Sequence, residues 1–265
     1  MDSYVARLGR NGCSWSMKLG DSKVQSIESI ASESGDVVVA GRFAGTLDFG
    51  GATLASGGGL DAFVAKLGED GHHIWSRRFG DQGGVVSSIR VAVHPLGTVM
   101  LSGLFQGSID FGGGVRKSTR GPDLFVVKLN PAGEHLWSTT ITEERMPCSL
   151  DDCTLDRIDM ATDSDGSLVL TGHYKGEIDF GGSVLRNTQT AIYIAKLDVN
   201  GTLLWSGDYG SSVPVCSQPE CVALAAVGSD HNIVIGGQYR GAMDFGAATI
   251  AADEDGGSFV MRLSR

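Results

Sequence analysis

The chain has 265 residues, a formal net charge of −10, and 39 glycines against only 6 prolines. Its length is enough for one all-β domain with a substantial core. The negative charge and the absence of a long basic run argue against a nucleic-acid partner, and no apolar run approaches the roughly 20 residues of a membrane helix.

The first strand pattern of the chain returns at regular intervals. Its copies are "DSYVARL" at Asp2, "DAFVAKL" at Asp61, "DLFVVKL" at Asp123, "AIYIAKL" at Ala191 and "GSFVMRL" at Gly257. They begin 59, 62, 68 and 66 residues apart. Every tryptophan follows an opening aromatic residue by eleven or twelve positions: Trp15, Trp75, Trp137 and Trp205. This periodicity predicts one domain over 1–265, with repeats at 2–60, 61–122, 123–190 and 191–256 and a closing strand at 257–265.

Each repeat reads as a series of short strands. In "DAFVAKL", Phe63, Ala65 and Leu67 alternate with Val64 and Lys66, as expected of a strand. The segments "HIWSRRF", "SIRVAV" and "TVMLSGLF" follow, separated by turn sequences, and no stretch shows helical periodicity. Four-stranded units repeated in this way predict an all-β fold, a β-propeller of four-stranded antiparallel blades.

The sequences "DAFVAKLGEDGHHIWSRRFG" and "GTVMLSGLFQGSIDFGGG" resemble the repeats of SBBP-type bacterial β-propeller proteins. The resemblance covers essentially the whole chain. It implies a secreted or cell-surface protein without a common catalytic residue. It also implies a strand order in which "SIRVAV" is innermost, "TVMLSGLF" second, "FVAKL" third and the tryptophan strand outermost.

The strand count leaves the closure of the ring open. The "FVAKL" strand occurs five times and the other strands four times each. A closed ring of four blades, in which the Trp15 strand completes the last blade, is favoured and leaves one strand surplus. The alternative is a five-bladed or partial ring with an unpaired edge, which would invite a partner chain. We therefore expect a monomer or an oligomer joined at the seam.

One seven-residue phrase recurs as "GTLDFGG", "GSIDFGG", "GEIDFGG" and "GAMDFGA". Its phenylalanines are expected to be buried anchors. Its aspartates are expected to accept backbone N–H bonds in a turn, or to pair with the basic residue of the third strand. Those aspartates are Asp48, Asp110, Asp179 and Asp244, and the basic residues are Arg7, Lys66, Lys128, Lys196 and Arg262. A structural joint is favoured over a ring of carboxylates that attracts a cation.

Two cysteine pairs lie in the two longest repeats. "CSLDDC" spans Cys148 to Cys153, and "CSQPEC" spans Cys216 to Cys221. Cysteines at this spacing in an inserted loop favour two local disulfides, with a four-thiolate zinc site or free thiols as alternatives. Cys13 is left single and is expected to be buried beside the first tryptophan.

Two acidic turns resemble the start of a calcium loop. "DSDG" begins at Asp163 and "DEDG" at Asp253, but Tyr174 and Ser264 stand where such a loop requires Glu. We expect plain turns, and no cofactor beyond weak calcium binding.

Residues that break the repeat symmetry are the candidates for a site at the channel. His173 stands at a strand position held elsewhere by Arg42, Leu104 and Gln238, and Arg90 is a further polar candidate. A structural histidine is favoured over a catalytic one. The sequence contains no phosphate-binding loop, His-Glu-x-x-His motif or Gly-x-Ser-x-Gly elbow.

These features predict a non-enzymatic propeller that recognises a glycan or a protein through its rim loops. The alternative is a hydrolase or lyase at the mouth of the channel, where Arg42, Arg90, His173 and Gln238 would converge. The start "MDSYVARLGR" lacks a signal-peptide pattern, so we expect a cytosolic chain or an excised mature part of an exported protein with an added Met. The predicted disulfides favour the cell surface or the extracellular space.

Overall fold

The structure is a computed structural model. It describes residues 3–10, 12–119, 121–143, 158–210, 223–228, 230–239, 241–246, 249–251 and 256–263. Regular structure in these ranges is strand throughout, as the sequence predicts, and the ladders are antiparallel. The same ranges contain no helix that is long and apolar enough to cross a membrane.

The strands fall into groups that we number sheet 1 to sheet 5 in chain order. Sheet 1 is a hairpin of β1 (Ser3–Gly9) and β2 (Gly12–Leu19). Sheet 2 has the order β3 (Gln25–Glu33), β4 (Asp36–Phe43), β7 (Asp61–Leu67), β8 (His73–Phe79). Its connection from β4 to β7 carries a short hairpin of β5 (Thr46–Leu47) and β6 (Leu54–Ala55).

Sheet 3 repeats this order with β9 (Val85–Val93), β10 (Val99–Gln106), β13 (Asp123–Leu129) and β14 (His135–Glu143). Its short hairpin is β11 (Ser108–Asp110) and β12 (Val115–Lys117). Sheet 4 consists of β15 (Asp159–Thr162), β16 (Leu168–Asp179), β17 (Val184–Leu197) and β18 (Leu203–Tyr209). Here the short hairpin is merged into the long strands β16 and β17, and the last two residues of β14 also pair with β16.

Sheet 5 has the order β19 (Ala223–Val227), β20 (Ile233–Tyr239), β23 (Gly257–Leu263). Its short hairpin is β21 (Ala242–Asp244) and β22 (Thr249–Ala251). In the described residues β23 holds the third place beside β20, and β1 and β2 form a sheet of their own. The closure of the ring, by which the Trp15 strand would complete the last blade, stays a prediction.

The chain divides into two compact units. One comprises Met1–Ser118 with Leu124–Thr140, and the other Thr119–Asp123 with Ile141–Arg265. In the first unit, one apolar core lies between sheets 1 and 2 and another between sheets 2 and 3. The second unit has its own core between sheets 4 and 5.

The third strand of each sheet explains how these cores follow one another. In β7, Phe63 and Ala65 belong to the core shared with sheet 1, whereas Ala62 and Val64 belong to the core shared with sheet 3. Successive side chains of a strand point to opposite faces, so an unbroken apolar strand serves two cores. We call the face toward the preceding sheet the leading face, and the face toward the following sheet the trailing face.

Candidate functional site

The repeated phrase is built as a turn in every copy. Each aspartate Oδ1 accepts the backbone N–H two residues later, at 2.7 Å for Asp48, 2.8 Å for Asp110, 2.8 Å for Asp179 and 2.7 Å for Asp244. The following phenylalanine packs on the aromatic residue of the third strand. The ring centroids are 5.6 Å apart for Phe49 and Phe63, 4.8 Å for Phe111 and Phe125, 5.4 Å for Phe180 and Tyr193, and 5.2 Å for Phe245 and Phe259. The phrase thus fixes the short hairpin to the leading face of its sheet.

The basic residue of the third strand pairs with a different acid. Lys66 Nζ lies 2.9 Å from Asp36 Oδ2, not beside Asp48. Strand register gives the reason: Lys66 stands opposite Val38, near the turn between β3 and β4, whereas Asp48 follows the other end of β4. The other pairs likewise use turn residues: Lys196 with Asp163, Arg262 with Asp230, and Arg7 with Glu69.

The tryptophans join a sheet to the turn of the next one. The indole Nε1 of Trp15 donates to the Glu69 carbonyl at 2.9 Å, and that of Trp75 donates to the Pro131 carbonyl at 2.9 Å. A Cβ on Gly71 would lie 2.7 Å from the Trp15 ring, so this turn requires glycine beneath the indole. Trp137 lies on β14, and Trp205, on β18, is 38% exposed.

The residues proposed for a channel site have structural surroundings. Arg42 Nε lies 2.8 Å from Glu28 Oε1, and the other oxygen of Glu28 accepts the Ile89 N–H at 2.8 Å. Arg90 donates to the Ile89 carbonyl at 3.0 Å. His173 is buried in β16, whereas Gln238 is exposed on β20. Within each unit, these positions bring together no nucleophile and base of the kind that a hydrolase needs.

A cluster that sequence analysis missed joins sheets 4 and 5. Asp163 is fully buried; its Oδ2 lies 2.7 Å from Lys196 Nζ and its Oδ1 lies 2.6 Å from His231 Nδ1. Burial opposes ionisation, but hydrogen bonds from Lys196 and His231 outweigh it and hold the pKa of Asp163 below its ordinary value. The signal available in the sequence was His231 itself, which stands in the turn position that Gly97 and Gly166 fill elsewhere. In the structure, His231 has a φ of 61°, which favours glycine.

This cluster is also the one group in the described ranges with three side chains that could ligate a metal. The ligand atoms of Asp163, Asp165 and His231 lie within 4.8 Å of one another. The ammonium of Lys196, however, already holds one oxygen of Asp163 and would repel a cation. The arrangement therefore suits a buried ion pair between repeats better than a metal site. The acidic turn at Asp253 lies outside the described residues.

A cavity of about 250 Å³ lies between sheets 1 and 2. Its lining includes Val5, Arg7, Trp15, Ile30 and Val37. The guanidinium of Arg7 is already held by the Glu69 carboxylate and carbonyl. Ile30 is exposed, although its counterpart Val91 in sheet 3 is buried. The cavity thus marks the place where the two strands of sheet 1 leave part of the leading face of sheet 2 uncovered.

The two ends of the repeat series carry exposed apolar side chains. On the leading face of β1, Tyr4 is 78% exposed, whereas its counterparts in the later repeats are buried: Phe63, Phe125, Tyr193 and Phe259. On the trailing face of β23, Val260 is 80% exposed, whereas its counterparts in the earlier repeats are buried: Val5, Val64, Val126 and Ile194. We call these surfaces the open leading face (Tyr4, Ala6, Leu8) and the open trailing face (Leu224, Val234, Val260).

The cysteine predictions fall in two parts. Cys148, Cys153, Cys216 and Cys221 lie outside the described residues, so their disulfide pairing stays a prediction. Cys13 is exposed, and its Sγ donates to the Trp15 carbonyl at 3.1 Å. The expectation of a buried Cys13 is wrong, because the side chain stands at the free end of the β1–β2 hairpin, where the pairing register shifts.

Comparison with known proteins gives little guidance. No family model matches the chain, and no curated protein matches it. One solved structure matches this chain over 80% of both chains. Its description reads that the GH130 family of mannoside phosphorylases contains glycoside hydrolases that target beta-1,2 mannosidic linkages in Candida mannan. The identity is 11% and the TM-score is 0.29.

The sequence-based prediction of a non-enzymatic binder that uses rim loops is contradicted by this finding, since the matched structure belongs to a family of enzymes. We withdraw that prediction. A TM-score of 0.29 carries neither a fold nor an activity over to this chain, so no glycoside chemistry takes its place.

Proposed function

We propose that this chain is a stacking module: a series of β-propeller-type blades whose ends take up further sheets of the same repeat. The observation that carries the proposal is the contrast between Tyr4 and Val260, which are exposed, and their counterparts, which are buried in every other repeat. A single exposed apolar residue is ordinary, but a whole apolar face at an otherwise buried position indicates an interaction surface.

The internal joints support the choice of a like sheet as the cover. Between sheets 2 and 3, the trailing-face residues Val38 and Val64 share a core with the leading-face residues Phe125 and Val127. Sheet 5 repeats the trailing side of this joint, since Val234 stands opposite Arg262 as Val38 stands opposite Lys66. A surface with this shape and spacing suits a leading face of the same repeat.

Charged substitutions at the two faces test the proposal. If the faces are covered in solution, Val260→Asp and Tyr4→Asp each bury an unpaired carboxylate, and the free energy of unfolding falls by about 2 kcal/mol or more. Leu96→Asp is the matched control, because Leu96 is 78% exposed in the turn between β9 and β10. It should change the free energy by no more than about 0.5 kcal/mol. Urea unfolding followed by tryptophan fluorescence measures all three, and effects at Tyr4 and Val260 as small as at Leu96 would refute the stacking function.

A further inference from the structure

The first strand of a sheet has one edge that no neighbouring strand covers. In the described part of the chain, β9 and β19 each form a ladder with one strand only, β10 and β20. The N–H groups along the other edge need acceptors from elsewhere, because an unpaired N–H in a packed joint costs stability. Two of them find an acceptor in the preceding sheet. The Val91 N–H donates to Ser29 Oγ at 3.0 Å, and the Ala225 N–H donates to Asp159 Oδ2 at 2.9 Å.

These two hydrogen bonds are equivalent by strand register. Ser29 stands opposite Ala40, and Asp159 stands opposite Thr171; each partner is the residue before the glycine of the second strand. The two N–H groups that donate also lie at equivalent positions, because each residue pairs with the one two places before that glycine. One side-chain oxygen thus reaches the same N–H in the joint between sheets 2 and 3 and in the joint between sheets 4 and 5.

Sheets 3 and 5 carry no acceptor at this position. Arg90 stands there opposite Ser102, and Leu224 stands there opposite Gly236. A guanidinium has only donors, and that of Arg90 donates to the Ile89 carbonyl at 3.0 Å, whereas a leucine side chain has no polar atom. Sheet 3, for nearly all of its length, ends the first compact unit, and sheet 5 ends the second. The position therefore holds an acceptor where another sheet of the same unit follows, and none where the unit ends.

We infer that Ser29 and Asp159 are the positioning residues that set the register between successive sheets of a unit. The inference rests on the proposed stacking function and adds to it the contact that places one sheet on the next. Apolar faces attract each other without a preferred direction, since the hydrophobic effect is non-directional. A hydrogen bond between one N–H and one side-chain oxygen, in contrast, is lost when the following sheet shifts by a residue along its strands. Stacking driven by apolar side chains thus gains a single register from this position.

The role requires an acceptor oxygen and not a negative charge. Ser29 supplies a hydroxyl and Asp159 a carboxylate, and the two hold their N–H groups at nearly the same distance. Conservative variants that keep an oxygen should therefore keep the contact: Ser29→Thr retains a hydroxyl, and Asp159→Asn retains an amide carbonyl. Ser29→Ala and Asp159→Ala remove the acceptor and leave the N–H without it.

Amide hydrogen exchange of the full chain, read by NMR, tests the inference at single N–H groups. In Asp159→Ala, the Ala225 amide should exchange about 5- to 10-fold faster relative to the Ile235 amide in the central strand of the same sheet. Asp159→Asn should keep this ratio at its wild-type value. The same comparison for Val91, against an amide of β10, uses Ser29→Ala and Ser29→Thr. The amide resonances of β9 and β19 should also broaden or double in the alanine variants, since more than one register is then populated.

Each outcome decides for or against the inference. Faster exchange in both alanine variants, with protection retained in Asp159→Asn and Ser29→Thr, supports it. Unchanged ratios in the alanine variants overturn it, because the joint would then hold its register without the side-chain oxygen. Equal losses in Asp159→Asn and Asp159→Ala overturn it as well, since the charge would be required, and a loss at one site alone overturns it as a property of the repeat. None of these results depends on Tyr4 or Val260, so the stacking function stands or fails by its own variants.

Discussion

The side chains that repeat along this chain act as joints. The aspartate of the repeated phrase closes a turn in every copy, and the phenylalanine after it packs on the third strand. The departures from symmetry are also structural, as at Asp163, where Lys196 and His231 come from two neighbouring sheets. At these positions, contacts between strands and between sheets therefore explain which residue type is found.

Asp163 should be the most stabilising acid among these pairs. Asp163→Asn leaves Lys196, whose side chain is 5% exposed, without a countercharge, and should cost about 3–5 kcal/mol at pH 7. Asp36→Asn, in the more exposed pair with Lys66, is the matched control and should cost about 1 kcal/mol or less. Urea unfolding of both variants measures this. Equal losses of unfolding free energy in the two variants would mean that burial of the ion pair between Asp163 and Lys196 adds nothing to the stability of the protein.

The pH dependence of the same variant has a definite sign. The folded pKa of Asp163 is lowered, so its ionisation stabilises the protein above the ordinary pKa of about 4. This stabilisation disappears as the pH falls through the lower folded pKa. The difference in unfolding free energy between wild type and Asp163→Asn should thus shrink steadily in acid, and a difference that stays constant between pH 7 and acid would contradict the ion pair.

At the scale of elements, the strands could be predicted from alternation and repetition, and their order along each sheet is the one that the resemblance to SBBP-type repeats implies. Contacts that depend on which end of a strand a residue occupies could not be predicted in this way. For Asp48 the sequence left two contacts open, the turn N–H and Lys66, and only the pairing of β4 with β7 shows that Lys66 and Asp48 lie at opposite ends of β4. The short hairpin β5–β6 was missed because two-residue strands leave no periodic signal. The closure of the ring by the Trp15 strand stays a prediction, because a surplus strand fits the sequence pattern of two sheets equally well.

The tryptophan strands should differ in what they contribute. Trp75 is buried and donates to the Pro131 carbonyl of the next sheet, so Trp75→Ala should cost about 3–5 kcal/mol. Trp205 is 38% exposed, and Trp205→Ala should cost clearly less. The two tryptophans hold the same position in their repeats, so the sequence alone does not distinguish their contributions. Chemical denaturation of both variants decides, and equal losses would show that the exposed indole is covered in solution.

At the scale of the whole molecule, each joint within a unit sets the trailing face of one sheet against the leading face of the next. Tyr4 on the first sheet and Val260 on the last are exposed at positions that are buried in the other repeats. The sequence signalled this only through its uneven strand count. It could not say whether the surplus strand would close a sheet or remain at an end, because that choice depends on packing between distant parts of the chain.

Hydroxyl-radical footprinting read by mass spectrometry tests the central claim most directly, because it reports the solvent exposure of individual side chains. The account predicts that Tyr4 and Val260 are modified several-fold more slowly in the folded protein than in the unfolded chain. Leu96 and Val115, which are exposed and lie on no open face, should lose little reactivity on folding. Tyr4 and Val260 reacting as fast in the folded protein as in the unfolded chain would contradict the account, since the two faces would then remain uncovered.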